Sequence, residues 1–197
     1  LSEDDGKMYQ EFCVRNGVHW SPLNEKSTDA EWAHLYGKHT NHAFPSINRY
    51  REARRGGKKV GFAFTGWNPT TKRPELVAVC AEKGVGEGLI QLVLQKDAPA
   101  IFDEAEEKAK GRGKQISSPK TLLIALPTDT EKEKVPEKLV QRFEALLQKF
   151  GYEFVHNANG DFTVNMDIAP AAANSAAAPS AAPSAAPSAA PSASAPA

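Results

Sequence analysis

The stretch Glu75–Gln95, ELVAVCAEKGVGEGLIQLVLQ, decides the fold of this chain. Its first part, Glu75–Glu82, is a largely apolar run of the kind that forms a buried strand. Its last part, from about Gly88 to Lys96, carries Leu, Ile and Val on a helical pattern. Because the glycine-rich turn Gly84–Gly88 joins the two parts, the sequence predicts a strand that passes through a tight turn into a helix.

The elements on either side predict an α/β fold with a mixed sheet and a central β-α-β crossover. A strand–helix–strand connection between residues 75 and 126 implies a parallel pair, whereas the short turns elsewhere favour antiparallel hairpins. The further predicted elements are a strand at Lys58–Trp67, a turn at Asn68–Thr71, a helix from about Asp97 to Gly111, a strand at Thr121–Leu126, an amphipathic helix opened by Pro136 and ended by Gly151, and a hairpin around Asn157–Asp161.

Two segments flank this core. The sequence of residues 1–57 predicts an irregular helical N-terminal part with three helices. The first spans Asp5–Arg15, the second begins after a cap at Thr28 or Asp29, and the third runs from Ser46 to Gly56. Residues 169–197 contain only Ala, Ser, Pro and one Asn, and their recurring proline favours an extended, disordered tail. The α/β core is therefore expected at residues 58–168.

Composition excludes several classes of protein. The 197 residues carry 24 basic and 24 acidic side chains, which gives no overall charge that would attract nucleic acid. No apolar run approaches the ~20 residues of a membrane span, so no membrane partner is predicted. Cys13 and Cys80 provide neither a disulfide framework nor a zinc site. A soluble protein of a reducing, intracellular compartment, cytoplasmic by default, is expected. The start at Leu1 is compatible with a fragment or a processed product, and the oligomeric state stays open.

The histidines do not predict a metal site. His34, His39 and His42 lie near one another with His19 upstream, but their spacing places no three of them on one helical face, and no acidic or cysteine ligand completes a set. They are interpreted as polar loop residues.

The glycine-rich turn carries the clearest chemistry. Backbone amides at a helix N-terminus lack partners within the helix, and glycines let a phosphate approach them closely. Lys83 at the edge of the turn could neutralise one phosphate charge. The turn lacks the Gly-Lys-Ser/Thr of a P-loop, and the spacing Gly84-x-Gly86-x-Gly88 departs from the dinucleotide-binding pattern. The alternative is a tight β–α turn without a ligand.

This stretch resembles the acetyl-CoA-binding segment of the GNAT N-acetyltransferase superfamily. In that family a central strand runs into a Gly-x-Gly-x-x-Leu turn and a helix, and the matching positions here are Gly84, Gly86 and Leu89. The stretches TLLIALP, KLVQRFEALLQKFGYEF and NGDFTVNMDI resemble the family's fifth strand, last helix and closing strand, so the resemblance covers about residues 58–168. It implies an enzyme that transfers an acetyl group from acetyl-CoA, as co-substrate, to a small-molecule or peptide amine.

The resemblance also implies the site residues. The amides of Val85, Gly86, Glu87, Gly88 and Leu89 would hold the CoA pyrophosphate, and the strand backbone near Val79 and Cys80 would bind pantetheine and the thioester carbonyl. Cys80 is a strand residue in this interpretation and not a nucleophile. Glu75 is the candidate base and Tyr152 the candidate acid. The alternatives for these two are a solvated strand-end carboxylate and a core aromatic residue.

Three departures from the family's pattern favour a second function class. Ala81 stands where the family usually has Arg or Gln, Leu147 stands where it often has a proton-donating Tyr, and Pro127–Asp129 replaces a frequent Asn. A non-catalytic GNAT-like scaffold or interaction module in a larger assembly therefore stays open.

The segment Arg49–Lys59 supports a third function class. It holds six basic residues and one acid. Such a cluster could bind a nucleic acid, an acidic partner or the 3′-phosphate of CoA. The alternative is an exposed helix end whose cations complement the helix dipole.

Overall fold

The computed structural model describes residues 1–13, 26–34, 46–126 and 135–167. The helices are α1 (Glu3–Met8), extended by a π-helical turn at Tyr9–Cys13; α2 (residues 29–34); α3 (Gly86–Leu92), which continues through π-helical Val93–Asp97 into α4 (Ala98–Gly111); and α5 (Glu137–Phe150). The strands are β1 (Asn48–Arg55), β2 (Lys58–Asn68), β3 (Arg73–Ala81), β4 (Thr121–Ile124), β5 (Phe154–His156) and β6 (Phe162–Asn165).

The six strands form one mixed sheet in the order β1-β2-β3-β4-β6-β5. All neighbouring pairs are antiparallel except β3 and β4, which are parallel and are joined through α3 and α4. This arrangement confirms the predicted α/β class and the central crossover. The predicted strand at residues 154–156 and its partner at 162–165 enclose the turn at Asn157–Asp161, so the hairpin is confirmed as well.

Apolar side chains cover both faces of β2 and β3. On one face a large cluster joins the sheet to α3, α4 and α5, and on the other face a smaller cluster joins the sheet to the N-terminal helices. The two sets alternate along β2, where Ala63 belongs to the first cluster and Phe62 and Phe64 belong to the second. This alternation is the period of two that a strand buried on both faces requires.

Residues 48–55 form a strand, and the predicted helix from Ser46 to Gly56 is wrong. Strand β1 pairs with β2 from Asn48↔Gly66 to Arg55↔Lys58, so the sheet begins before Lys58. The helical interpretation took the basic residues as a helix end. Their charges instead alternate across the two faces of an edge strand, where Arg49 and Arg51 pair with Glu104 and Asp97 on the side of α4.

The predicted helix ends at Thr28 and Gly151 are confirmed, whereas α1 begins at Glu3 after a Ser2 cap rather than at the predicted Asp5. Thr28 caps α2, since its hydroxyl accepts from the Glu31 amide while the Glu31 carboxylate accepts from the Thr28 amide. Gly151 ends α5 in the left-handed region at φ 74°. Residues 14–15, 35–37 and 169–197, on which other predictions fall, lie outside the described residues. Of the helices that the structure describes, none combines the length and apolar character needed to cross a bilayer.

A buried ionic network holds α1 against the sheet. Asp5, 2% exposed, accepts hydrogen bonds from the Tyr50 hydroxyl at 2.6 Å and from the Lys59 ammonium at 3.0 Å. Lys59 also pairs with Glu52 at 2.9 Å. Burial raises the pKa of Asp5, but hydrogen bonds from the Ser2 backbone, Tyr50 and Lys59 outweigh it, so the pKa lies below its ordinary value. The network therefore favours an ionised carboxylate.

Candidate active site

The parallel pair at the centre of the sheet is very short. Strands β3 and β4 pair only at Glu75↔Leu123 and Leu76↔Ile124, with one further bond from the Ala125 amide to the Leu76 carbonyl. Beyond this point β3 continues to Ala81 along β2, but no described strand pairs with it on the side of β4. We call this open side of residues 77–81 the β3–β4 split.

A β-bulge lies where the split begins. In the pairing of β2 with β3, Phe64 lies opposite Ala78 and Thr65 lies opposite Leu76, so Val77 is an extra residue on β3. Such a bulge bends the strand and increases its local twist. The bulge therefore explains why β3 leaves β4 after Leu76 while it stays paired with β2.

The backbone of Val79 and Ala81 is directed into the split. Hydrogen-bonded and non-hydrogen-bonded pairs alternate in an antiparallel ladder. Because the Glu82 amide donates to the Val60 carbonyl at 2.9 Å, the pair Phe62↔Cys80 is also a bonded pair, and Val79 and Ala81 occupy the non-bonded positions. Their amide and carbonyl groups point away from β2, towards the side that β4 has left.

Cys80, the other strand residue predicted at the site, does not face the split. Its backbone lies at a bonded position against β2, and its buried side chain lies on the face covered by α1. There the thiol donates to the Met8 carbonyl at 3.2 Å. Of the two predicted pantetheine-binding positions, only Val79 presents its backbone to the split.

The glycine-rich turn stands at the end of the split, where β3 passes into α3. The backbone of Gly84 has φ +88°, a conformation that residues other than glycine rarely adopt. The Val85 amide donates to the Glu82 carbonyl at 3.0 Å, and the Leu89 amide donates to Val85 at 3.3 Å. Within the described residues, the turn and the helix thus leave the amides of Gly86, Glu87 and Gly88 without a backbone acceptor, as in any first helical turn.

The turn is also accessible. Lys83, Gly84, Glu87 and Gly88 are exposed, and a side chain added at Gly84 or Gly88 would meet no atom within 4 Å. Leu89, at 3% exposed, anchors the turn in the apolar core. A ligand could therefore reach the three free amides from solvent while the helix beneath them stays fixed.

Gly61 lets the turn close onto β2. A Cβ at this position would lie 2.9 Å from Cδ1 of Leu89 and 3.1 Å from both Cβ of Ala81 and Cγ1 of Val85. A side chain at this position would fit only if Leu89 and its neighbours shifted. Gly61 was not predicted from the sequence, because a glycine in the middle of a strand gives no indication of what approaches it.

An ion pair across the turn was missed as well. Glu87, in the first turn of α3, pairs with Lys149 near the end of α5. A carboxylate at a helix N-terminus complements the dipole but competes with an anionic ligand for the same amides. Lys149 neutralises that carboxylate and places a cation next to Gly86–Gly88. Only tertiary structure reveals it, since 62 residues separate the partners.

Glu75, the candidate base, lies beside the start of the split. It pairs with Leu123 in the last rows of the parallel ladder, one residue before Leu76. Its carboxylate accepts a hydrogen bond from Nδ2 of Asn68 at 2.8 Å. Oδ1 of Asn68 in turn accepts from the amides of Thr70 and Thr71 at 2.9 and 3.2 Å, which fixes the orientation of its amide group. Asn68 therefore positions Glu75, a role that the sequence analysis did not assign.

Tyr152, the candidate acid, lies at the other end of β4. The Met166 amide donates to Lys120 just before β4, and the Asn165 amide donates to Glu153, so Tyr152 lies level with the start of β4. The split opens beyond the end of β4. The ring is 7% exposed, and burial raises the pKa of its hydroxyl. No hydrogen bond among the described residues joins it to Glu75, so the structure does not bring the two predicted catalytic residues together.

Leu147 stands where the resemblance implies a tyrosine. It is fully buried in the apolar cluster of α5 and the sheet. A leucine there has no proton to donate. Pro127–Asp129 lie outside the described residues.

The basic segment Arg49–Lys59 is largely neutralised. Among the described residues, five of its six cations form ion pairs, and the exception is Lys58. The pairs are Arg49–Glu104, Arg51–Asp97, Arg54–Glu52, Arg55–Glu82 and Lys59 with Asp5 and Glu52. The Arg51–Asp97 pair is bidentate at 2.8 and 2.6 Å and raises the pKa of the guanidinium. This strand is therefore built from internal ion pairs rather than from free positive charge.

Comparison with known proteins gives similarity in structure alone. No family model and no curated protein sequence matches the chain. Similar solved structures include a ribosomal-protein-alanine N-acetyltransferase from Brucella melitensis (18% identity, 83% of this chain and 93% of that chain, TM-score 0.43). They also include yncA of Salmonella typhimurium with its cofactor acetyl-CoA (14% identity, 83% of this chain and 88% of that chain, TM-score 0.44). A third is an N-acetyltransferase from Staphylococcus aureus Mu50 (17% identity, 83% of this chain and 92% of that chain, TM-score 0.40). These similarities are too weak to assign a family or an activity, so the function is argued from the chain's own residues.

Proposed function

We propose that this chain binds acetyl-CoA in the β3–β4 split and transfers the acetyl group to an amine. The observation that carries the proposal is the split itself, an open strand edge that leads directly to a glycine-rich turn. Val79 and Ala81 offer backbone donors and acceptors to the amide groups of a pantetheine arm. Gly86–Gly88 offer amides to a pyrophosphate at the end of the same edge.

The charges next to the turn suit a polyanion. Lys83 is exposed at the start of the turn, and Lys149 lies against Glu87. When a pyrophosphate occupies the amides, Lys149 is close enough to exchange its carboxylate partner for a phosphate oxygen. The proposal therefore assigns Lys149 to the binding site together with the predicted Lys83.

The chemical step needs few protein groups. The amine forms a bond to the thioester carbonyl carbon, the carbon–sulfur bond breaks, and its electron pair leaves on the CoA sulfur. Glu75, beside the start of the split, accepts the proton that the amine loses. Holding the amine and the thioester together supplies much of the rate enhancement. The proposal does not use Tyr152, because its position separates it from the split.

Calorimetric titration of acetyl-CoA and CoA into the full chain tests the proposal, with Gly86→Asp as the variant. A Cβ at Gly86 meets only Cβ of Ala81, at 3.6 Å, and an acidic residue suits a helix N-terminus, so this variant should fold. Its carboxylate would repel the pyrophosphate and weaken binding about tenfold or more, which corresponds to at least 1.4 kcal/mol.

Gly111→Asp is the matched control for this titration. It makes the same change in open space at the far end of α4 and should bind as the native chain does. Equal weakening by both variants, or no binding by the native chain at millimolar ligand, would contradict the proposal.

A CoA-binding module without catalysis is the second candidate. Leu147, buried where the resemblance implies a tyrosine, is the observation that favours it. Binding of acetyl-CoA without acetyl transfer to any amine in a broad screen would support it, and detectable turnover would exclude it. The ion pairing of Arg49–Lys59 argues against the nucleic-acid alternative, which predicts binding that falls steeply with salt.

A further inference from the structure

Arg73 is a half-buried cation, and most of its hydrogen-bond donors have no acceptor among the described residues. Its guanidinium carries five donors, and among the described residues its one hydrogen bond is a long one, 3.4 Å from Nη1 to Oγ1 of Thr163. Its Nε is buried and has no hydrogen-bond partner in the part of the chain that the structure describes. A buried donor without an acceptor costs free energy, so an acceptor that enters this place is bound more strongly than at the surface.

The four arginines of β1, unlike Arg73 within the described part of the chain, all form ion pairs. Arg49, Arg51, Arg54 and Arg55 each contact a carboxylate at 3.4 Å or less. Arg73 has no carboxylate at ion-pair distance among the described residues. Asp161 interacts with it only over a longer range, and that carboxyl instead accepts from the Leu126 backbone and Asn159. Within the described ranges, Arg73 is therefore a half-buried arginine without a carboxylate in direct contact.

Arg73 also lies in line with the proposed reaction centre. It occupies β3 two residues before Glu75, so both side chains lie on the same face of the strand, about 7 Å apart at the backbone. The bulge and the split follow directly after Glu75 and Leu76. Along one strand the order is thus an anion-binding group, a proton acceptor and the place of the thioester.

The guanidinium of Arg73 reaches across the sheet towards β6. Glu75, Leu123 and Thr163 form a row across β3, β4 and β6. Arg73 crosses β4 to reach Thr163 in that row, so its guanidinium lies over the sheet rather than in solvent. A surface depression borders Thr163, the partner of Arg73, and is lined further by Thr121, Tyr152 and Asn165.

We infer that Arg73 binds a carboxylate on the acceptor, so that the acceptor is an amino-acid-like compound with an amine a few bonds from its carboxylate. This inference rests on the proposed function. The guanidinium fork matches a carboxylate with two parallel hydrogen bonds, which a lysine cannot reproduce. With the carboxylate held at Arg73, the amine points along β3 to Glu75, which takes its proton as the nitrogen–carbon bond forms and the carbon–sulfur bond breaks.

The test uses the full chain and matched acceptor pairs, the common amino acids and their carboxamides, with release of the CoA thiol as readout. We expect the native chain to acetylate at least one amino acid, with a kcat/KM at least about tenfold above that of its carboxamide. In Arg73→Gln, KM for the amino acid should rise about tenfold or more with little change for the carboxamide. Arg73→Lys should restore part of the loss.

Calorimetry with acetyl-CoA separates the two proposals. If the native chain and Arg73→Gln bind acetyl-CoA equally, but carboxamides serve as well as amino acids or no amino acid is acetylated, the inference about Arg73 is overturned and the proposed cofactor site stands. If the native chain does not bind acetyl-CoA, the proposed function fails and the inference fails with it. Thr163→Val, which removes the single partner of Arg73, provides a second variant should Arg73→Gln not fold. It should leave the preference for carboxylates in place.

Discussion

At the scale of single residues, the orientation of the Glu75 side chain depends on the turn that joins β2 to β3. The amides of Thr70 and Thr71 fix the Asn68 side chain, and its Nδ2 donates one hydrogen bond to the Glu75 carboxylate. The sequence alone identified Glu75 as a candidate base and Asn68 as part of a turn signal. The link between them follows from the register of β2 and β3, which places Asn68 opposite Arg73.

Replacement of Glu75 tests its chemical role. Glu75→Gln keeps the hydrogen-bonding shape but removes the proton acceptor, so kcat for acetyl transfer should fall about a hundredfold or more. Affinity for acetyl-CoA should not change, because the variant leaves the backbone of the split intact. Glu107→Gln, at an exposed position of α4, is the matched control. Steady-state kinetics that show an unchanged kcat in Glu75→Gln would exclude Glu75 as the base.

A second residue-scale prediction concerns Asp5 and the stability of the fold. Because hydrogen bonds lower its folded-state pKa, the stabilisation by Asp5 is fully present above the unfolded-state value of 3.8 and is lost as pH falls through the folded-state value. Asp5→Asn leaves Lys59 and Tyr50 without their buried carboxylate, which should cost about 3 kcal/mol at neutral pH.

Urea unfolding at pH 7 and at several values from roughly pH 5 to pH 2 measures this effect. Asp5→Asn should lose stability at pH 7 and show a weaker dependence on acid than the native chain. Asp4→Asn, an exposed neighbour in α1, should behave as the native chain does. An acid dependence that is the same in all three proteins would show that Asp5 is not ionised in the network.

At the scale of elements, the sequence predicted what local patterns encode. The apolar runs of β3 and β4, the amphipathic face of α5 and the glycine that ends it were all visible, because burial and helix capping act through nearby residues. Strand β1 was missed because its side chains are charged on both faces. Arg49, Arg51 and Arg55 pair with Glu104, Asp97 and Glu82, which are far away in sequence, on α4, just before α4 and just after β3. Only the assembled sheet makes those charges compatible with a strand.

The candidate site was predictable to a similar extent. The glycine-rich turn and Val79 were identified by motif and resemblance, and the structure places both along one open edge. The bulge at Val77 and the contacts of Gly61, Lys149 and Arg73 depend on long-range packing. No local pattern in one sequence specifies which strand residue is extra or which lysine approaches a given turn.

Gly61 allows an element-scale prediction. Gly61→Ala places a methyl group against Leu89, Ala81 and Val85 and should destabilise the fold by about 1–3 kcal/mol through overpacking. It should also displace the turn and weaken acetyl-CoA binding. Gly111→Ala, which adds the same methyl group in open space, should be neutral or slightly stabilising. Denaturant unfolding compares the two, and equal stability would contradict the close packing of the turn on β2.

At the scale of the whole molecule, the sheet organises the proposed chemistry along one strand. Strand β3 carries Arg73 and Glu75 on one side of the bulge and the open edge of Val79 and Ala81 on the other, and it ends in the turn that leads to α3. Helices on one face and the N-terminal network on the other keep this strand in place. An acceptor and acetyl-CoA would therefore meet where β3 leaves β4.

The measurement that tests this account most directly is amide hydrogen exchange on the full chain, with and without acetyl-CoA. The amides of Val79 and Ala81 point into the split, so they should exchange rapidly in the free chain and become protected when acetyl-CoA binds, together with Gly86–Gly88. The amide of Ala78, which is paired with β2, should be protected in both states. Binding of acetyl-CoA that leaves the exchange of Val79 and Ala81 unchanged would contradict a cofactor site in the β3–β4 split.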